Sequence, residues 1–265
     1  MIFVHINNSG LSLHSLVPRI SQTIERTLNM KYMNTMTLLA AGTCAMIAAS
    51  AAQAGMVYWD MGTASPTSNN VGNLTVGDLT QGNNNGVTVM ITQTASSSGY
   101  TFDLNGTSTS ASGTYIAGAA ARTGALVTGE SGSAYFQFTL TADAGYSGSL
   151  TALGFGTRST GTAPVSFTLR SSADGYASDL ATATSLSNNN WYYKTAPLTT
   201  AASLTAATPV TFRLYGYGGS GSPNTNSANW RIDDLTLTAT TTAVPAPGAI
   251  ALLGVAGLVG SRRRR

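Results

Sequence analysis

The chain has 265 residues, of which 13 are Lys or Arg and 10 are Asp or Glu, so charged side chains make up 9%, about a third of the usual ~25%. That excludes a charge-rich disordered chain, and a hydrophobic fraction of 43% supplies enough apolar mass for a core. The net charge of +3 is set by the two ends. Between Gly55 and Ala243 the bases are Arg122, Arg158, Arg170, Lys194, Arg213 and Arg231. The acids there are Asp60, Asp78, Asp103, Glu130, Asp143, Asp174, Asp179, Asp233 and Asp234, which leaves the middle at −3. Such a balance argues against a nucleic-acid partner. Cys44, His5 and His14 are the only residues of their kinds, and all precede Gly55.

Residues Met30 to Asn34 carry one charge, Lys31, and a nearly unbroken run of apolar and small residues from Met36 to Ala52 follows. The run closes on Ala52-Gln53-Ala54. A short basic start, an apolar stretch and a small-x-small site, in that order, predict a secretory signal peptide over 30–54. Cleavage is expected between Ala54 and Gly55, by signal peptidase after passage through the Sec translocon. Residues 1–29 are mixed and include His14, Pro18 and Glu25. They read as an extension ahead of a true start at Met30.

At the other end no charge occurs between Asp234 and Arg262. The chain reads Val244-Pro245-Ala246-Pro247-Gly248, then small and aliphatic residues to Gly260, then Ser261 and Arg262, Arg263, Arg264 and Arg265. Ala243 to Ser261 gives 19 uncharged residues, about 28 Å as a helix and close to the ~30 Å of a bilayer interior. A short transmembrane helix is expected, with the arginines holding the end in the cytoplasm. This layout over 244–265 resembles the PEP-CTERM sorting tail of Gram-negative bacteria. The resemblance implies transient retention in the inner membrane, processing near the motif by an exosortase-like membrane protease or transpeptidase, and transfer to the cell surface or extracellular space. Ala246 stands where the commonest members carry Glu, which leaves the cognate enzyme open.

The remaining 189 residues, 55–243, suit a single all-β domain. Period-two alternation appears in Val87, Val89 and Ile91; Tyr100, Phe102 and Leu104; Phe136, Phe138 and Leu140; Leu153 and Phe155; Val165, Phe167 and Leu169; and Val210, Phe212 and Leu214. Each set predicts a strand with one apolar face. Gly82-Asn83-Asn84-Asn85-Gly86, Ser171-Ser172-Ala173-Asp174-Gly175 and Asn188-Asn189-Asn190 predict turns. Short strands between such turns predict an antiparallel β-sandwich of the jelly-roll type, flanked by the signal helix and the C-terminal transmembrane helix.

Alternation fails once. In Trp230-Arg231-Ile232-Asp233-Asp234-Leu235-Thr236-Leu237 the apolar residues change parity between Ile232 and Leu235, so a bulge is expected at Asp233 and Asp234. This ending, with Phe212 to Tyr217 before it, is similar to the closing strands of jelly-roll domains in secreted surface proteins and carbohydrate-binding modules.

Without histidine or cysteine the middle offers no Ser-His-Asp triad, thiol nucleophile or His/Cys zinc site. Paired carboxylates remain, but Asp233 and Asp234 are adjacent, and glycoside hydrolysis needs two acids about 5 to 10 Å apart across a cleft. No cofactor is expected. A structural calcium is the candidate exception, with Asp233 or Asp234 joining a loop such as Gly175 to Asp179; the alternative is one solvated Asp and one bonded to a neighbouring loop. Trp191, Tyr193, Tyr215 and Tyr217 are candidate sugar-stacking residues; the alternative places Trp191 or Tyr193 in the core. The leading expectation is an exported, non-catalytic surface or matrix protein. A module binding extracellular polysaccharide comes second, and a polysaccharide-acting enzyme third.

Overall fold

The computed structural model describes residues 52–246, apart from 64–67, 69–70, 94–96, 112, 122–123, 185, 187–189 and 222–228. The N-terminal extension, most of the signal segment, Pro247, Gly248, the apolar run and Arg262 to Arg265 lie outside the described residues. Both expected terminal helices fall there. Among the described residues no helix is long and apolar enough to cross a membrane; helical structure is one 3-10 turn over Ser172–Asp174.

The described chain is built from fourteen strands: β1 (Gln53–Trp59), β2 (Leu74–Val76), β3 (Thr80–Gly82), β4 (Ile91–Thr92), β5 (Thr101–Leu104), β6 (Thr107–Ser110), β7 (Ile116–Ala120), β8 (Tyr135–Ala142), β9 (Tyr146–Ser159), β10 (Ser166–Ser171), β11 (Ala181–Thr184), β12 (Tyr192–Leu204), β13 (Val210–Tyr217) and β14 (Asn229–Ala243). They form two antiparallel sheets and a hairpin. The first sheet runs β12-β9-β14-β7-β4, with β1 also on β14. The second runs β11-β10-β13-β8-β2, with β3 also on β8, and β5 pairs only with β6.

The facing sides of the two sheets make the core. Phe136, Phe138 and Leu140 on β8, Phe167 and Leu169 on β10 and Phe212 and Leu214 on β13 are buried from the second sheet. Val57 and Trp59 on β1, Leu153 and Phe155 on β9 and Trp230, Ile232, Leu235 and Leu237 on β14 meet them from the first. Aromatic pairs cross the interface: Phe136 with Trp230 at 5.0 Å, Phe155 with Phe167 at 4.9 Å and Trp59 with Phe138 at 4.8 Å between ring centroids. The two indole N–H groups still need acceptors. Trp230 donates to Thr157 Oγ1 at 3.0 Å and Trp59 to the Gly77 carbonyl at 3.2 Å. A Cβ on Gly216 would collide with the Trp230 ring, so the glycine makes room for it.

Two expected strands leave their leading valines outside. Val87 and Val89 are 76% and 61% exposed, and pairing begins only at Ile91. Val165 is 41% exposed and β10 starts one residue later. The Asn cluster explains the first case. Asn84 Oδ1 accepts from the Ala120 N–H at 2.7 Å, and the Asn85 N–H donates to the Ala120 carbonyl at 3.1 Å. Side-chain and backbone bonds to the end of β7 hold the segment as a loop and leave the valines outside.

The bulge on β14 is present. Asp233 pairs with Gly156 and Thr236 with Gly154, so Asp234 and Leu235 together oppose Phe155. Asp234 takes φ 46, which turns the apolar side of the strand back to the core. The other edge of β14 changes partner at the same place: β7 pairs with Asn229 to Ile232, and β1 with Leu235 to Thr241.

Candidate functional site

The β5–β6 hairpin turns at Asn105 and Gly106, both with positive φ (54 and 83), as an Asn-Gly turn between twisted strands requires. It is tied to β1, because the Met56 N–H donates to Asn105 Oδ1 at 2.9 Å. Aromatic rings gather between it and the outer side of the first sheet. Phe102 stacks on Tyr193 at 5.0 Å and lies 5.8 Å from Tyr58, and Tyr100 is 5.7 Å from Tyr193. Glycines on β9 admit these rings. A Cβ on Gly156 would occupy the position of the Tyr100 hydroxyl, and one on Gly154 that of the Tyr193 hydroxyl.

Beneath this cluster lie Asp233 and Asp234, 0% and 1% exposed. Asp234 Oδ1 accepts from the Tyr58 hydroxyl at 2.6 Å and Oδ2 from the Tyr100 hydroxyl at 2.7 Å. Asp233 Oδ1 accepts from the Asp234 N–H at 2.9 Å. Asp233 Oδ2 and the nearby Ser97 Oγ are buried without a hydrogen-bond partner. Burial, and then the charge of Asp234, push the Asp233 carboxyl up to about 8. Burial also raises Asp234, with its two tyrosine donors pulling the other way. Burial and the Asp234 carboxylate hold Tyr58 and Tyr100 far above the usual phenol range, and burial raises Tyr193 to about 12.

These positions bear on the sequence-derived candidates. The Asp pair belongs to the first sheet. The Gly175 to Asp179 loop follows β10 in the second, where Asp179 accepts from Thr168 and pairs with Arg170 and Asp174 caps Ala177 and Ser178. The structure therefore does not bring the loop to the Asp pair, and neither aspartate is solvated. Among the described residues no group of three or more His, Cys, Asp or Glu is placed to hold a metal. Each oxygen of Asp234 accepts one tyrosine hydroxyl, and Asp233 Oδ2 has no hydrogen-bond partner. The two carboxyl groups sit on consecutive residues of one strand and do not face each other across a cleft.

The aromatic candidates do not form one row. Tyr193 lies under Phe102 on the first sheet, with its hydroxyl 2.6 Å from Thr236 Oγ1. Tyr215, on the second sheet, is fully buried and its hydroxyl reaches the Thr128 carbonyl at 3.4 Å. Tyr217 is half-buried near the end of the same strand, and Trp191 is half-buried one residue before β12.

Residues that alternation alone did not single out matter more. On the outer side of the second sheet, Arg213 is held between the rings of Tyr135 and Tyr176, at 4.4 and 4.2 Å from their centroids. Its Nε donates to Gln137 Oε1 at 2.8 Å. Tyr176 reaches over it from a left-handed backbone (φ 64) directly after Gly175 (φ 70). The sequence signal was the Gly175-Tyr176 pair in a turn. At the far end of the first sheet, a groove of about 480 Å³ is lined by serines and threonines such as Ser147, Ser203 and Thr240 together with Leu204, Ala206 and Val244. Beside it the Val244 N–H bonds the Gly145 carbonyl at 2.7 Å, the last of these bonds before Pro245, which has no N–H to give.

No protein-family model matches the chain, and no curated protein matches it significantly. Among solved structures, the K1 cleaved adhesin domain of Lys-gingipain from Porphyromonas gingivalis W83 aligns at 12% identity and TM-score 0.30, over 69% of this chain and 96% of that one. The K3 domain of the same protein aligns at 15% and 0.29, over 48% and 75%. The family 11 carbohydrate-binding module of the cellulosomal cellulase Lic26A-Cel5E of Clostridium thermocellum aligns at 13% and 0.19, over 46% and 80%. At these scores the likenesses carry no weight for function.

Proposed function

We propose that this chain is an exported, non-catalytic cell-surface or extracellular-matrix protein. Its N-terminal signal directs it through the Sec translocon, and its PEP-CTERM-like tail holds it in the inner membrane until an exosortase-like enzyme processes it. We read the strand order, with the chain passing repeatedly from one sheet to the other, as a jelly roll. One observation carries the reading. The compact unit spans Ala51–Val244, so its limits fall four residues before Gly55, where the mature chain is expected to begin, and at the first residue of the Val244–Gly248 motif.

This placement has a physical basis at each end. Gln53 and Ala54 open β1 but are exposed, while Val57 and Trp59 anchor the strand in the core. Cleavage after Ala54 takes from β1 only Gln53 and Ala54, which pair with Thr241 and Thr240. At the other end β14 stops at Ala243, and Val244, Pro245 and Ala246 are exposed. Pro245 favours an extended backbone there, as a processing enzyme needs.

Intact-mass measurement of protein recovered from the cell surface tests both ends together. A product beginning at Gly55 and ending between Val244 and Pro247, with or without an added surface group, is expected. A mature protein retaining Arg262 to Arg265 would show an uncut anchor instead.

A further inference from the structure

We propose that Arg158 and Arg231 form an oxyanion-binding site on the outer side of the first sheet, and that the oxyanion is the carboxylate of an acidic polysaccharide. The two residues are direct cross-strand partners, Arg158 on β9 and Arg231 on β14. Directly opposed side chains have Cβ atoms about 5 Å apart, and like charges there destabilise a sheet. The pair shows this repulsion: burial, and then the charge of Arg158, lower the Arg231 guanidinium below its ordinary range.

The fold does not account for the pair. Every acid between Gly55 and Ala243 is among the described residues, and the ion pair found there joins Arg170 to Asp179. Arg158 also keeps a buried Nε without a hydrogen-bond partner. Like-charge opposition, partial desolvation and an unsatisfied donor all cost stability. An oxyanion bound between the two guanidiniums relieves the first and supplies charge-assisted bonds.

The surroundings favour a sugar acid. On the β7 side, Arg231 is paired with Gly118, and the Thr88–Val89 segment packs directly over that glycine, where a Cβ would meet Thr88 Cγ2 at 3.0 Å. Thr88 and Asn229 place uncharged polar groups there, with Thr88 Oγ1 donating to Asn229 Oδ1 at 2.6 Å. On the β12 side, pairing with β9 ends at Tyr192–Thr157, and the half-buried Trp191 directly precedes it. Planar guanidinium edges match carboxylates bidentately, and an indole suits the apolar side of a pyranose. A net charge of −3 over Gly55 to Ala243 disfavours denser polyanions such as nucleic acid. The site is independent of how the chain is sorted, so its failure leaves the proposed export intact.

The test is titration of the full chain with polygalacturonate, neutral dextran and inorganic phosphate at low ionic strength, repeated for Arg158→Gln and Arg231→Gln. Polygalacturonate is expected to bind and dextran not to bind. Each substitution is expected to weaken binding about tenfold or more, the scale of one lost charge-assisted hydrogen bond, while the melting temperature stays level or rises because the repulsion is gone. Retained folding with lost binding separates a binding role from a structural one. The proposal is overturned if polygalacturonate does not bind, if phosphate binds and the polymer does not, or if either variant binds as the parent does.

Discussion

The Tyr100 hydroxyl donates to Asp234 Oδ2 at 2.7 Å, joining residues 134 positions apart. With the matching bond from Tyr58 at 2.6 Å, it fastens the hairpin side of the molecule to the bulge in β14. Both aspartates are buried, and Asp234 is the one that ties the strands together through its two tyrosine donors.

Burial of Asp233 makes stability depend on pH. Its folded-state value of about 8 lies above the ordinary 3.8, so the folded chain keeps a proton that the unfolded chain releases. Stability from this group is intact below pH ~4, falls as pH rises towards ~8 and is level beyond, with a total on the order of a few kcal/mol. Asp233→Asn keeps an acceptor for the Asp234 N–H and supplies a neutral donor towards Ser97. Chemical denaturation across this range should show a flatter profile for the variant and higher stability at pH 8. An unchanged slope would assign the proton to Asp234, whose carboxyl burial also raises.

Gly156→Ala should destabilise by about 1–3 kcal/mol, the usual cost of overpacking. Its new methyl would take the place of the Tyr100 hydroxyl, so Tyr100 must leave Asp234. Tyr100→Phe leaves one buried carboxylate oxygen unpaired, at about 1–3 kcal/mol. Because both changes break the same bond, the double variant should cost less than the sum, read from a thermal or denaturant double-mutant cycle.

Trp230 touches Phe136 and Phe155 from opposite sheets and is fully buried. Trp230→Ala should cost about 3–5 kcal/mol. Thr157→Val removes the acceptor of the indole N–H while keeping shape, and about 1–3 kcal/mol is expected. Equilibrium unfolding measures both, and a Thr157→Val cost near zero would show that the indole bond adds nothing.

Replacing Arg262 to Arg265 with Ser should weaken membrane retention without altering the melting temperature of the folded unit, which ends at Val244. The four cations hold the tail on the cytoplasmic side. Fractionation of membrane and soluble material gives the readout.

The sequence by itself determined most of the strands that alternate and the kink in β14. These follow from period-two burial and from composition, which are local properties. Phe136, Phe138, Phe155, Phe167 and Phe212 are buried where alternation puts them, because a strand with one apolar side must turn that side inward. Only the tertiary structure decided what the outer sides do. Alternation puts Tyr193 and Arg158 on the outer side but says nothing of what lies over it, and a separate hairpin covers Tyr193 through Phe102. The burial of Asp233, the Arg213 clamp and the opposition of Arg158 to Arg231 depend on which strands become neighbours and in what register. That is fixed by long-range pairing across scores of residues, and no local pattern encodes it.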